Sequence, residues 1–251
     1  MFDPLAFARH TGSVAILTGR SFAAMLKRPF ELGLWTEQME QIGVRSLGVA
    51  GITTVFTGMV LALQTAFSLP ALGVKYYIGA VVAKSLVREL GPVLTALIVG
   101  GRIGSGMTAE LGTMKVTEQI DALRSMAADP VKKLVVPKLA ATLVMLPALT
   151  IIGDFLGILG GLFIAVVQLD VSAGFYINDV TTSLTLHDVA SGVGKAFFFA
   201  YFIAIVGCYN GLNASGGADG VGRATTNTVV EAAILILVSD FFLTKLFYLV
   251  S

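Results

Sequence analysis

Residues 84–106 read KSLVRELGPVLTALIVGGRIGSG. Lys84, Arg88 and Glu89 open a run that is otherwise apolar, and Gly91-Pro92 then interrupts the helix. Proline lacks a backbone N–H, so the break frees carbonyls, and in lipid these need partners from protein or trapped water. Each ionisable group inside a bilayer-spanning segment costs about 2.5–3.5 kcal/mol on insertion scales. Three together therefore mark either a structural ion pair, Arg88 with Glu89, or a polar patch lining a cavity. Lys84 and Arg88 are four apart and share a helix face. Leu86, Leu90 and Val93 lie alongside, so such a cavity would be part greasy and part charged, which suits an amphiphile better than an ion or a sugar.

The rest of the chain sets the solvent. Of 251 residues, 55% are hydrophobic and 13% charged, with mean hydropathy +0.84. A soluble domain carries about 25% charged residues, so this chain cannot cover a water-facing surface and lipid is the expected surroundings. A net charge of +1 offers no basic field for nucleic acid. The single cysteine, Cys208, and the separated His10 and His187 provide neither a disulfide nor a metal centre, and no metal ligands are expected. The opening MFDPLAFARHTGSVAILTGR lacks the apolar core and cleavage site of a signal peptide.

The expected fold is an all-α integral membrane protein with five transmembrane helices. Stretches of about 20 apolar residues occur at 44–68, 76–106, 134–168, 189–211 and 227–249, the third tilted or kinked at Pro147. Residues 1–40 are expected as an N-terminal interfacial helix (5–28) and linker, with Trp35 at headgroup depth and a peripheral arm as the alternative; residues 41–251 form the membrane domain. Arg9, Arg20, Lys27, Arg28 and Arg45 precede the first span, and Arg102, Lys115, Arg124, Lys132, Lys133 and Lys138 follow the second. The 168–188 connection has Asp170, Asp179 and Asp188 but no lysine or arginine. The positive-inside rule therefore makes the N-terminus and the 107–133 connection cytoplasmic, and the 168–188 loop and the C-terminus extracytoplasmic.

Two further patterns stand out. In KVTEQIDALRSMAAD (115–129) Val116, Ile120, Leu123 and Ala127 keep helical spacing, and Asp129-Pro130 ends the segment. The spacing predicts a short amphipathic helix between the second and third spans. A helix lying on lipid and one docking into another protein's groove both fit; its acidic residues argue against an anionic leaflet. Gly153, Gly157 and Gly161, then Gly100 and Gly104, then Gly207 and Gly211, form small-residue rows that let helix backbones approach closely. Any one row suits packing within the chain, and three together predict some subunit–subunit contact. Asp154, beside the longest row, should face protein or an aqueous cavity. There is no phosphate-binding G-x-x-x-x-G-K-[ST] motif; SGVGKAF around Lys195 lacks its first glycine and the Ser/Thr after lysine. No nucleophile elbow, HExxH or paired-carboxylate site occurs either, so an enzyme is not expected and any transport needs an outside ATPase or an ion gradient.

The stretch SLVRELGPVLTALIVGGRIGSGMTAELGTMKVTEQIDALRSMAADPVKKLVVPK (85–138) closely resembles the signature region of MlaE-type permeases, with VFTGMVLALQ (55–64) and GVGRATTNTVV (220–230) similar too. These permeases are membrane subunits of ABC transporters that move phospholipids in double-membraned bacteria, with relatives in plastids. The resemblance covers about residues 40–250. It implies an interfacial N-terminal helix, five spans and a homodimer in the bacterial inner membrane. It implies a cytoplasmic ABC ATPase dimer that binds the ATP, this chain holding no cofactor itself. A periplasmic ring of MCE-domain proteins, in some complexes a small STAS-domain protein, and a role in outer-membrane lipid asymmetry follow from it too. The positions matching lipid-contacting ones are Leu61, Glu89 and Leu90, with Leu69 and Leu72; Arg88 matches the arginine beside the glutamate. The 115–129 segment matches the coupling helix, with Glu118, Ile120, Asp121, Leu123 and Arg124 as its ATPase-coupling residues. GRIGSGM departs from a more alanine-rich version of the motif, and Lys84 adds a charge with no family counterpart. A carrier of amphiphiles driven by an ion gradient would also want charges beside a broken helix, but it gives no reason for the amphipathic 115–129 helix.

Overall fold

A computed structural model describes residues 4–27, 32–68 and 77–250. Every regular element among them is helical. In chain order these are α1 (Pro4–Met25), α2 (Leu32–Ile42), α3 (Leu47–Ser68), α4 (Ile78–Ser85), α5 (Gly91–Val116), α6 (Gln119–Ser125), α7 (Val136–Val167), α8 (Ala173–Ser183), α9 (Leu186–Leu212) and α10 (Gly217–Val250). A 3₁₀ turn joins α2 to α3, and π-helical turns at Leu86–Leu90 and Val131–Val135 precede α5 and α7.

Four helical stretches are long and apolar enough to cross a bilayer: Gly33–Ser68, Val131–Val167, Leu186–Leu212 and Gly217–Leu249. The expected spans at 44–68, 189–211 and 227–249 fall inside them, and 134–168 does so to within one residue at its C-terminal end. The 76–106 stretch is helical from Ile78 onward but is not among the four. It is split by its π-turn and carries Lys84, Arg88, Glu89 and Arg102, so reading it as a span depends on where those charges find partners. Pro147 does not end α7, which runs through it; neighbouring helices and local adjustment can satisfy what proline releases.

The chain folds as two compact units. One comprises Met1–Val44, Gly100–Val144 and Ala200–Leu235. Here α5 meets α9 at the glycine rows: a Cβ on Gly207 would sit 3.1 Å from the carbonyl oxygen of Gly104, and one on Gly211 would sit 2.7 Å from Leu111. The buried Thr108 hydroxyl bonds the Gly207 carbonyl at 2.9 Å and Thr228 Oγ1 at 2.8 Å, closing the α5–α9–α10 contact. α1 packs on this unit through Thr18, whose hydroxyl lies 2.8 Å from that of Tyr201, and through Phe22 stacked on the same ring. Ile16 on α1 and Leu26 just past its end remain exposed.

The second unit comprises Arg45–Val99, Met145–Phe199 and Ile236–Ser251. α3 and α7 touch backbone to backbone, and any Cβ on Gly58 would overlap the Gly157 carbonyl. Its apolar core holds Ala62, Ile78, Val82, Leu86, Ala165 and Tyr176. All three glycine rows meet side chains or backbone of the same chain, the packing that any one row suits; close helix approach of this kind is what small residues permit in lipid.

The 168–188 connection holds α8, an element its sequence did not announce. AGFYINDVTTS is rich in poor helix formers, and tertiary contacts hold it instead. Ser172 caps it, accepting from the Phe175 amide at 3.3 Å. The Tyr176 hydroxyl donates to the Ile158 carbonyl at 3.2 Å. Burial and then the nearby Asp179 push that phenol's pKa well above the ordinary value, so it stays a donor. Asp179 accepts from the Ala80 amide at 2.7 Å, so α8 ties down the first turn of α4.

Candidate functional site

The Leu86–Leu90 π-turn is where the chemistry concentrates. The Gly91 amide donates to the carbonyl of Leu86, five residues back, and bypasses Val87. Residue 92 is proline and has no N–H. The Val87 carbonyl therefore loses its partners along its own helix. Gly192 on α9 makes room for it, since a Cβ there would overlap that oxygen. π-turns of this kind recur at functional sites because they re-aim side chains. Here the turn sends adjacent residues to different neighbours.

Glu89 meets a lysine. Lys195 on α9 is 2% exposed, and its Nζ lies 2.5 Å from Glu89 Oε2 and donates to Thr244 Oγ1 at 2.6 Å. Thr244 in turn donates to Glu89 Oε1 at 3.1 Å. Asp240, one turn before Thr244 on α10, puts Oδ1 3.0 Å from the same Nζ, at ion-pair distance but without an aligned hydrogen bond. Arg88 turns the other way: its Nε lies 3.4 Å from Asp188 Oδ1, and its guanidinium stacks 4.7 Å over the Tyr248 ring. Asp188 also accepts from the amide and hydroxyl of Thr185 at 2.9 and 2.8 Å, the capping arrangement that starts α9. So no Arg88–Glu89 pair forms. The cations Lys84, Arg88 and Lys195 and the anions Glu89, Asp188 and Asp240 nearly neutralise one another, which is what apolar surroundings demand.

The apolar half of the candidate site lies close by. Leu61 on α3 and Leu90 on the π-turn are both partly exposed and pack against the same buried cluster of Ile78, Val82 and Leu86. Beside Leu61, an open groove of about 360 Å³ runs along α3 between Thr53, Phe56, Thr57 and Val60. The structure thus brings Leu61, Arg88, Glu89 and Leu90 into one unit. Leu69 and Leu72 lie outside the described residues. Lys195, Asp240, Thr244 and Asp188 went unread as site residues. Their signal was available: Lys195 is the one charge in the apolar 189–211 run, and Asp240 is an acid deep in the 227–249 run, and charges placed so seek opposite partners.

Asp154 is buried, as its position predicted, but against a backbone. A Cβ on Gly91 would overlap its Oδ1, and that oxygen has no hydrogen-bond partner; nor does the buried Thr95 hydroxyl.

The second candidate region is α6, in the other unit. It is shorter than 115–129: Val116 ends α5, and α6 runs only from Gln119 to Ser125. Glu118 and Ala127, at φ 61° and 57°, bracket it in the left-handed region. Non-glycine residues hold that conformation only where surroundings enforce it, so α6 is set at a fixed angle to its neighbours. Ile120 is fully buried and seats the helix, while Glu118, Asp121 and Arg124 are exposed and Leu123 is half-buried. The Lys115 ammonium, donating to Asp121 at 3.0 Å, and Arg124 at 2.8 Å hold the Asp121 carboxyl below its usual range.

The family model described as Permease MlaE matches residues 35–246. A probable ABC transporter permease protein of Rickettsia typhi is 42% identical over 97% of this chain and 94% of its own length. The intermembrane phospholipid transport system permease protein MlaE of Haemophilus influenzae is 37% identical over 90% of this chain and 88% of its own. The chloroplastic protein trigalactosyldiacylglycerol 1 of Arabidopsis thaliana is 35% identical over 94% of this chain and 67% of its own.

Proposed function

The chain belongs to the MlaE permease family, and from that premise we propose that it is the membrane subunit of an ABC transporter that moves phospholipid. In this reading the chain crosses the membrane five times, the charged 76–106 stretch included, with the N-terminus cytoplasmic and α1 at the inner interface. Two copies face each other and sit on a cytoplasmic ABC ATPase dimer that binds the ATP. A periplasmic MCE-domain ring and, in some assemblies, a STAS-domain protein complete the complex.

One observation supports the lipid reading above the others. Leu61 and Leu90 flank a single apolar cluster, and the turn that carries Leu90 also carries Arg88 and Glu89, each fixed by a counter-charge. Greasy and charged surfaces therefore meet where an amphiphile would need them. The groove on α3 is lined by one helix and lies open, which is the form half a pocket takes when a second protomer supplies the other wall. Acyl chains would rest on Leu61, Leu69, Leu72 and Leu90, while Arg88 and Glu89 shape the polar end of the site. ATP binding by the partner would act on α6 through Glu118, Asp121, Leu123 and Arg124, with Ile120 as its seat.

The test is mass spectrometry of lipids retained by the purified complex, comparing wild type with Glu89→Leu. Phospholipid retained by wild type and depleted in the variant supports the assignment; equal retention with equal transport removes it. Liposome transport without any ATPase would instead favour a carrier driven by an ion gradient.

A further inference from the structure

Lys138 lies in the first turn of α7, on the cytoplasmic side of the proposed topology, yet its side chain is only 3% exposed. Its Nζ donates to Glu110 Oε2 at 2.6 Å and to Gln38 Oε1 at 3.2 Å. Glu110 lies near the end of α5 and Gln38 on α2. One buried ammonium therefore fastens three helices at a single point. An ammonium taken out of water needs close, well-aligned partners to offset its desolvation, so the position of each of the three helices is tied to the other two.

The position of this pin matters. Glu110 and Lys138 are 28 residues apart, and the chain between them is the hairpin that carries α6. Beyond the pin, the hairpin is already stiff: Ile120 is buried, Asp121 bridges Lys115 and Arg124, and Glu118 and Ala127 fix the angles at both ends of α6. At the base of the hairpin, a push on α6 could still be lost by α5 and α7 spreading apart. The Lys138–Glu110 pair closes that base, and Gln38 adds α2 to the clamp.

We propose that Lys138 is a positioning residue for energy transfer: with Glu110 and Gln38 it locks α2, α5 and α7 together so that displacement of α6 moves all three as one body. The inference rests on the reading of α6 as the ATPase contact. It predicts variants that bind the ATPase and hydrolyse ATP but waste the stroke.

The experiment uses the reconstituted permease–ATPase complex in phospholipid vesicles and measures lipid transferred per ATP hydrolysed. Lys138→Met should keep the ATPase bound and hydrolysing while the ratio falls about fivefold, the lower range of typical coupling effects. Lys138→Arg, which keeps the charge, should restore most of the ratio. An assembled Lys138→Met complex with the wild-type ratio overturns the proposal. If that variant fails to assemble, Glu110→Gln decides: it keeps an acceptor oxygen, so an intermediate ratio supports the pin and an unchanged ratio overturns it. Spin labels on Thr113→Cys and Lys133→Cys, in a Cys208→Ser background, give a reading independent of lipid transfer. Their distance distribution should broaden in Lys138→Met, and an unchanged width overturns the pin even if the wild-type complex proves to move no lipid, which would defeat the functional reading alone.

Discussion

Lys195 Nζ lies 2.5 Å from Glu89 Oε2 although the two residues are 106 positions apart. The contact joins α9 to the π-turn, and Asp240 and Thr244 bring in α10. Removing the lysine leaves two carboxylates without their cation. Lys195→Met should therefore cost on the order of 3 kcal/mol, the low end for breaking a buried pair because Glu89 keeps some exposure. Thermal unfolding in lipid checks this, and adding Asp240→Asn should recover part of the loss. Full wild-type stability in Lys195→Met would mean the cluster is not held as described.

Gly91 and Asp154 form a second dependent pair. A Cβ at residue 91 would overlap Asp154 Oδ1 and approach the Leu86 carbonyl at 2.9 Å. Gly91→Ala should destabilise by about 1–3 kcal/mol, as overpacking does, and should misplace Arg88 and Glu89. Asp154→Ala should relieve only part of it, because the Leu86 carbonyl remains. Asp154→Asn alone, which preserves shape at an oxygen that has no partner, should cost less than the roughly 1–3 kcal/mol of Gly91→Ala. Denaturation of the variants and the double mutant measures the coupling.

In the proposed coupling role, α6 has a seat and a contact face. Leu123→Asp and Arg124→Glu alter its half-buried and exposed faces, so each should reduce co-purification of the ATPase with little loss of permease stability. Ile120→Asp should instead unseat the helix, since a carboxylate would replace a fully buried side chain and would lack a partner there. Pull-down and thermal unfolding, run together, distinguish the two outcomes.

Asp121 gives α6 an acid limit. Its carboxyl pKa is depressed by Lys115 and Arg124 from the model-compound value of 3.8. A depressed folded pKa contributes stability that is present above the unfolded value and lost as pH falls through the folded one. A spin label on Gln119→Cys should show constant mobility from about pH 8 to about pH 5 and greater mobility below about pH 4. Asp121→Asn should show the looser state throughout, with no acid transition traceable to this site.

The order of helices follows from local sequence. Apolar runs of bilayer length mark α3, α7, α9 and α10, and the 85–138 stretch alone points to the permease family that the comparisons establish. The length of α6 was overread, because the stripe at Val116 and Ala127 keeps helical spacing across two left-handed residues that spacing cannot reveal. α8 was missed because its residues favour helix only when Tyr176 and Asp179 have α7 and α4 to bind.

By itself the sequence determined that this is a helical membrane protein and where its charges are costly, since hydropathy, helix breaking and the expense of a buried ion are properties of short segments. Only the tertiary structure decided which charge answers which. Arg88 and Glu89 are neighbours in the chain but take different partners, Asp188 in the first turn of α9 and Lys195 about two turns further along it, and the glycine rows pack against helices of their own chain. The physical reason is distance along the chain: an ion pair is set by which side chains converge in space, and no local pattern carries that information.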